Sequence, residues 1–367
     1  MYLENVIEIT DYCRYCLMCR HVASVERVTY KETLSPHGWA LVIASVRRGL
    51  LQWDANTVEV LYSAPDHGNS RAHCVFDNPL PEAIAAARAE VVGLKLAPAI
   101  VYELDEALKQ WGTPFARQKP QPAAGKGEVA LFIGDEAHYL WPETIPAVLQ
   151  LLKAVGVEPV LIGAGRNNGY LASSLGLPET ARVLAQAILS ELESSGANQM
   201  LVLSPGDLFT FKQLYDERLG IPWPEGLKLE EVTTYLVKRL EGGELKLTRS
   251  EDETAYAYVD PTHSVRVPAR HDAPRKLLAA TMPGAGHELF WRRERAHPVG
   301  STALQFTRPD IAEKLTLARL EDAWKSGAQR LFCDDAGTLK QLSLYIDGVG
   351  LQIQGLYEWL ARQLVVN

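Results

Sequence analysis

The sequence predicts an α/β protein, with a mostly helical first segment and two successive layers of alternating strand and helix. Three observations predict it. Long amphipathic runs fill residues 1–112. A stretch rich in Pro, Gly and Gln without periodicity, "WGTPFARQKPQPAAGKGE", then interrupts the pattern. Beyond it, short apolar runs of strand length alternate with helical runs, the order that parallel β/α layers require.

The elements follow in order. "PHGWALVIASVRRGLLQW" and "PLPEAIAAARAEVVGLKL" read as helices, each opening near a proline suited to a first turn. Residues 113–127 read as a linker. In residues 128–245 the strands are "VALFIG", "VEPVLIG" and "NQMLVLSPG", and the helices are "PETIPAVLQLLKAVG" and "ETARVLAQAILSELESSG". Residues 246–345 repeat the architecture with strands "TAYAYVD" and "AQRLFCDDAG" and helices "APRKLLAAT" and "RPDIAEKLTLARLEDAWKSG". Residues 346–367 read as a closing amphipathic helix, "LQIQGLYEWLARQL", suited to cap the core or to dock on a partner.

Composition narrows the function. Of the 367 residues 47% are hydrophobic and 22% charged, the balance of a soluble globular protein. A net charge of −8 argues against nucleic acid as a main partner, because phosphate binding needs a basic surface. The chain has no basic-then-apolar leader and no apolar run near the about 18 residues that span a bilayer, so a cytoplasmic location is expected.

Three of the five cysteines stand in "YCRYCLMCRHVASV", as C-x2-C-x2-C. A loop of this kind holds a 4Fe–4S cluster with a fourth cysteine three residues on, but Ala23 and Ser24 occupy that stretch. The next cysteine is Cys74, in "YSAPDHGNSRAHCVFDNPLP". Counting back from it at the same spacing reaches Ser70, His67 and Ala64, a second motif without its first three cysteines. In two-cluster loops the fourth cysteine of each motif serves the other cluster. By that rule Cys13, Cys16, Cys19 and Cys74 complete one site, and Ala23, Ala64, His67 and Ser70 are the vacated other. Of about 70 ways to keep four of eight positions, only two complete a cluster under this rule. Zinc in S4 coordination and four unliganded thiols are the alternatives. His67 as a nitrogen ligand has no soft neighbour, so a structural role is expected for it.

The whole arrangement resembles the CCG-domain iron–sulfur subunits of the heterodisulfide reductase, glycolate oxidase and anaerobic glycerol-3-phosphate dehydrogenase kind. In that family a helical ferredoxin-like N-terminal domain precedes two duplicated Rossmann-like domains. Each of these carries a cysteine, a CCG triplet and a closing C-x-x-C. Here Asp135 stands at the first position, Asn167-Asn168-Gly169 at the triplet, and Ser204 and Asp207 at the closing pair. In the second copy Thr262 replaces the cysteine of "HDPCH", Pro298-Val299-Gly300 the triplet, and Asp335 and Thr338 the closing pair. These residues cannot supply thiolates, so CCG chemistry is expected to be absent. Asp135, Asn167 and Asp207 offer oxygen to a hard cation, although such residues more often cap turns.

Cys333, in "RLFCD", reads as a core residue. Arg266, Arg270, His271, Arg275 and Lys276 concentrate charge after a strand, to hold an anion or to pair with the acidic surface. "WRRERAH" reads as a charged surface segment. "GAGRNNG" fits the triplet position better than a phosphate loop.

The resemblance implies an electron-transfer subunit without a substrate site of its own. Its one 4Fe–4S cluster would exchange electrons with a flavoprotein dehydrogenase or an iron–sulfur paralogue in a hetero-oligomer. The alternative is a scaffold subunit in which the cluster only pins the N-terminal helices.

Overall fold

The computed structural model describes residues 8, 13, 16–120 and 125–365. The helix Pro36–Arg47 starts where predicted, with Ser35 Oγ accepting the Gly38 N–H at 3.2 Å. An Asp54–Thr57 capping box opens the helix Ala55–Tyr62. The helix Leu80–Gly93 buries most of its circumference, including Arg88.

Two four-stranded parallel sheets follow. The first contains β1 (Val129–Phe132), β2 (Val160–Ile162), β3 (Gln199–Val202) and β4 (Lys228–Glu231), in the order β2-β1-β3-β4. The second contains β5 (Tyr256–Tyr258), β6 (Gly286–His287), β7 (Arg330–Cys333) and β8 (Gln352–Gly355), in the corresponding order β6-β5-β7-β8. Pairing is parallel throughout, for example Leu131 with Leu161 and Leu201.

Alternation along the strands divides the core. Ala130 and Phe132 join the apolar cluster that includes Trp39, Ile43, Ile84 and Ala87 of the N-terminal helices. Leu131 and Ile133 face the other way, into a cluster with Tyr258, Phe332 and Trp359. Burial on both faces is what a parallel sheet demands.

The duplication extends to a turn that only glycine fits. Gly169 and Gly300 have φ of +91° and +95°. A Cβ would meet the Ala181 carbonyl oxygen at 2.9 Å in the first unit and the Ala312 carbonyl oxygen at 2.5 Å in the second. Both alanines stand in the first turn of the next long helix, Pro178–Ser195 or Pro309–Lys325. Each glycine therefore fixes the same close approach of turn to helix.

One expectation needs correction and two are sharpened. "LQIQG" is the edge strand β8 rather than helix, and its alternation of apolar and polar residues suits that role. The helix that follows, Leu356–Arg362, buries Leu356, Tyr357, Trp359 and Leu360 against the chain's own helices Thr144–Ala154 and Ala273–Thr281. Its apolar face is spent on the fold, not offered to a partner. The start of the linker is also structural: Thr113 is fully buried and donates to Asp135 Oδ2 at 3.1 Å. Among the described residues no helix is long and apolar enough to cross a membrane.

Candidate functional site

Cys13, Cys16, Cys19 and Cys74 line one hollow, walled by Leu17, Met18, Pro36, Ala40, Phe76 and Leu80 with the polar side chains of His37, Ser70 and Asn78 among them. Two loops bring the thiols together. Leu17, with φ 62° and ψ 8°, turns the chain into a short 3-10 helix, Met18–Val22, that carries Cys19. Cys74 sits in a tight turn where its N–H reaches the Arg71 carbonyl and its own carbonyl receives the Asp77 N–H, both at 3.0 Å. Arg71 closes that turn on the Asp77 carboxylate at 2.9 and 3.2 Å. Burial, reinforced by the Cys13 thiol and less strongly by those of Cys74 and Cys16, pushes the Cys19 pKa up to about 11. Cys333 is buried in the second sheet, apart from this set.

Among the described residues no group of three or more His, Cys, Asp or Glu side chains is placed to hold a metal ion.

The vacated positions have a different fate. Ala23, Ala64, His67 and Ser70 are all buried. His67 Nδ1 accepts the Asn69 N–H at 3.1 Å and Nε2 lies 3.3 Å from Ser24 Oγ, a structural role as expected. Burial, with Arg266 nearby, lowers the His67 pKa to about 3. Beside it lies an ion-pair network that no local sequence pattern announces. Asp66 receives Arg218 on both oxygens at 3.0 Å and Arg266 at 2.8 Å. Burial alone would raise the Asp66 pKa, but the two guanidinium groups hold it well below the usual carboxylate range. Arg266 crosses Gly68, where a Cβ would meet its Nε at 2.6 Å.

The other basic residues of that segment are likewise paired within the chain. Arg270 binds Glu231 and Asp334, Arg275 binds Asp260 and Glu288, and Lys276 binds Glu241. His271 Nε2 lies 3.0 Å from the Ser264 carbonyl.

The loops after the strands form a second, central cavity. Ile133–Ala137 follows β1, Asn167 and Asn168 follow β2, and Leu203, Ser204, Gly206 and Asp207 follow β3. Thr262 and His263 come from the end of β5, and Asp335 and Ala336 from the end of β7. In sheets ordered this way ligands bind beyond the carboxyl ends of the strands, where the order reverses. Here two such reversal points, β1/β3 and β5/β7, open into the same cavity.

The first copy's substituted positions meet in it. Asn167 Nδ2 donates to Asp135 at 3.1 Å and Asn168 Nδ2 donates to Asp207 at 2.8 Å. Ser204 Oγ donates to Asp207 at 2.9 Å. In the second copy Thr262 and Asp335 reach the cavity, while Val299 sinks into the core. Burial pushes the Asp135 pKa up to about 6, and burial with Asp335 and Asp135 nearby pushes Asp207 to about 7. Burial also raises Glu136, with Asp335, Asp135 and Asp207 adding to the effect, and Asp335 itself is raised by burial. Burial, with mutual repulsion adding to it at Glu136 and Asp207, thus raises the proton affinity of all four carboxyls. Glu136 and His263 were not singled out by the spacing. Their only signal is adjacency, to Asp135 and to Thr262.

No protein-family model matches this chain, and no curated protein matches it.

Proposed function

We propose that the chain is an electron-transfer subunit that holds one 4Fe–4S cluster through Cys13, Cys16, Cys19 and Cys74. The observation that carries this is that four thiols, from two loops far apart in sequence, line one mostly apolar hollow. The donor set fits the group, since thiolate sulfur is the soft ligand such clusters take, and apolar walls limit water around it. A bound cluster supplies one-electron chemistry. The protein's own residues fix the loops, and the Arg71–Asp77 pair holds the Cys74 turn. The resemblance of the helical segment and the two β/α units to CCG-domain subunits supports the same reading.

Leu17, Met18, Val75 and Phe76 are exposed beside the cysteines. An apolar rim at a cluster suits the brief docking of a redox partner, which we take to be a flavoprotein dehydrogenase or an iron–sulfur paralogue. This rim replaces the C-terminal helix as the proposed contact. The scaffold alternative gave the cluster the task of pinning the N-terminal helices. Shared apolar core and the Asp66–Arg218–Arg266 network already tie that segment to both sheets, which favours the relay.

Iron and sulfide analysis of anaerobically purified protein, with EPR of the reduced form and a redox titration, tests the proposal. About four irons per chain and a cluster that cycles reversibly are expected. Protein without iron after anaerobic purification, or a cluster inert to dithionite, would count against the relay.

A further inference from the structure

Three arginines rank among the largest fully buried side chains, Arg88, Arg270 and Arg319. Two of them are fully answered. Arg88 spends Nε, Nη1 and Nη2 on the carbonyls of Leu61, Ser174 and Ala64. Arg270 spends its three nitrogens on Glu231, Ser264, Tyr258 and Asp334. Arg319 differs. Only its Nη1 is used, on Asp322 Oδ2 at 2.9 Å, while Nε and Nη2 find no acceptor in the protein. Those two nitrogens form the side-on edge of the guanidinium, the fork that grips a carboxylate or phosphate through two parallel bonds. Leaving it bare in a buried place is costly.

A cleft adjoins Arg319 between the helices Ser24–Thr29 and Pro309–Lys325, and Arg27, Trp291, His297 and Lys325 also line it. His297 is buried and its Nε2 has no partner either. The imidazole stacks on Trp291 at 3.9 Å, and the Arg27 guanidinium lies 4.6 Å from the same indole. The acids at the rim are already engaged. Asp322 accepts the N–H groups of Phe290 and Trp291 at 3.0 and 3.1 Å, and Glu321 pairs with Lys325 at 2.6 Å. Arg27 has no carboxylate partner among the described residues.

We propose that this cleft binds a small oxyanion, a carboxylate or a phosphate group, on the unpaired, buried edge of Arg319 with Arg27 and His297 beside it. The charge balance favours an anion, since two guanidinium groups face the cleft and its acids are spent. Burial lowers the Arg319 pKa, and Asp322 and Asp260 offset this only in part. A bound oxyanion would bridge the segment following the cysteine loop and the second β/α unit.

Calorimetric titration of the full-length protein with inorganic phosphate and with acetate, against chloride at matched ionic strength, tests this. One or both oxyanions should bind, and Arg319→Gln should weaken binding at least tenfold while the far-UV spectrum stays unchanged. Phosphate alone would point to a phosphorylated ligand, and acetate alone to a carboxylate. Should Arg319→Gln fail to fold, Arg27→Ala and Lys325→Ala change only exposed side chains, and a several-fold loss in Arg27→Ala carries the same weight. The proposal fails if neither oxyanion exceeds chloride with the wild type, or if Arg319→Gln, or Arg27→Ala in its place, binds as tightly as the wild type.

Discussion

The thiol hollow and the central cavity are both places where loops from distant parts of the chain bring four like groups together, but they differ in what those groups can do. In the hollow the groups are Cys13, Cys16, Cys19 and Cys74, under apolar walls and at the surface. In the cavity they are Asp135, Glu136, Asp207 and Asp335, enclosed between the two sheets. Soft sulfur with little polar support around it suits a cluster. The carboxyls, crowded and buried, are held toward their protonated forms, and hydrogen bonds from Asn167, Asn168 and Ser204 fix two of them in place. One region gathers thiols with soft donor atoms, while the other gathers carboxyls whose affinity for protons is raised by burial.

The largest effect should come from the thiols. Cys74→Ser is expected to abolish iron binding as fully as Cys16→Ser, because a cubane held by three cysteines has lost one corner's ligand. Replacing Asp135 and Asp207 together by Asn should leave iron content unchanged. Full iron in Cys74→Ser would sink the crossed-ligand assignment and, with it, the contrast between the two sites.

Next comes the vacated half of the thiol region. Asp66→Asn leaves Arg218 and Arg266 buried without their shared counter-charge, and a loss of about 3–5 kcal/mol is expected. Urea unfolding of the wild type and the variant measures it. A loss below about 1 kcal/mol would mean that water or Glu82 compensates Arg218, which lies 3.6 Å from Glu82.

The cavity should show itself through pH. Asp135 and Asp207 have folded pKa values of about 6 and 7, above the 3.8 of an ordinary aspartate. The folded state therefore binds more protons than the unfolded chain between these limits. Their stabilising contribution is complete below pH about 4 and is lost as pH rises through 6 and 7. Asp207→Asn keeps the shape and can still accept from Asn168, but cannot ionise. It should match the wild type near pH 4 and exceed it by about 1–3 kcal/mol at pH 8. Unfolding curves at the two pH values decide this, and a wild type with no such decline toward pH 8 would contradict the raised pKa of Asp135 and Asp207.

How far the sequence reached follows from which forces are local. Central strands such as "VALF" and "RLFC" are apolar runs and were legible as strands. The edge strands β4, "KLEE", and β8, "QIQG", are polar, since an exposed edge tolerates and even favours charge, so they lack the apolar signal. The regular spacing of Asp135, Asn167, Asn168, Ser204, Asp207 and Asp335 led to the cavity because each falls just beyond a strand. The Asp66 network was invisible. Its members lie in three different segments, and an isolated Asp in "SAPDHG" has no periodicity to mark it. Arg319 was hidden in the same way, inside a run that reads only as a long helix.

The smallest effect should separate the two regions by their backbones. Left-handed positions around the cavity include Gly134 and Gly169, with φ of 68° and 91°, while Thr302 at 81° is the exception. In the thiol loops the left-handed residues include Leu17, at φ 62°, and Asp77, at 48°, while Gly68, at 84°, is the exception. A leucine in that region costs about 1–2 kcal/mol, whereas glycine enters it freely. Glycine also gives the unfolded chain more freedom, at a cost of about 0.5–1 kcal/mol. Leu17→Gly should therefore leave the iron-free protein unchanged or stabilise it by up to about 1 kcal/mol. Iron stoichiometry should not change, because the loop keeps its shape and no ligand is touched. A clear loss of stability would mean that the partly exposed Leu17 side chain contributes more by covering the hollow than its backbone costs, and that the cysteine loop is held by its apolar wall before any cluster arrives.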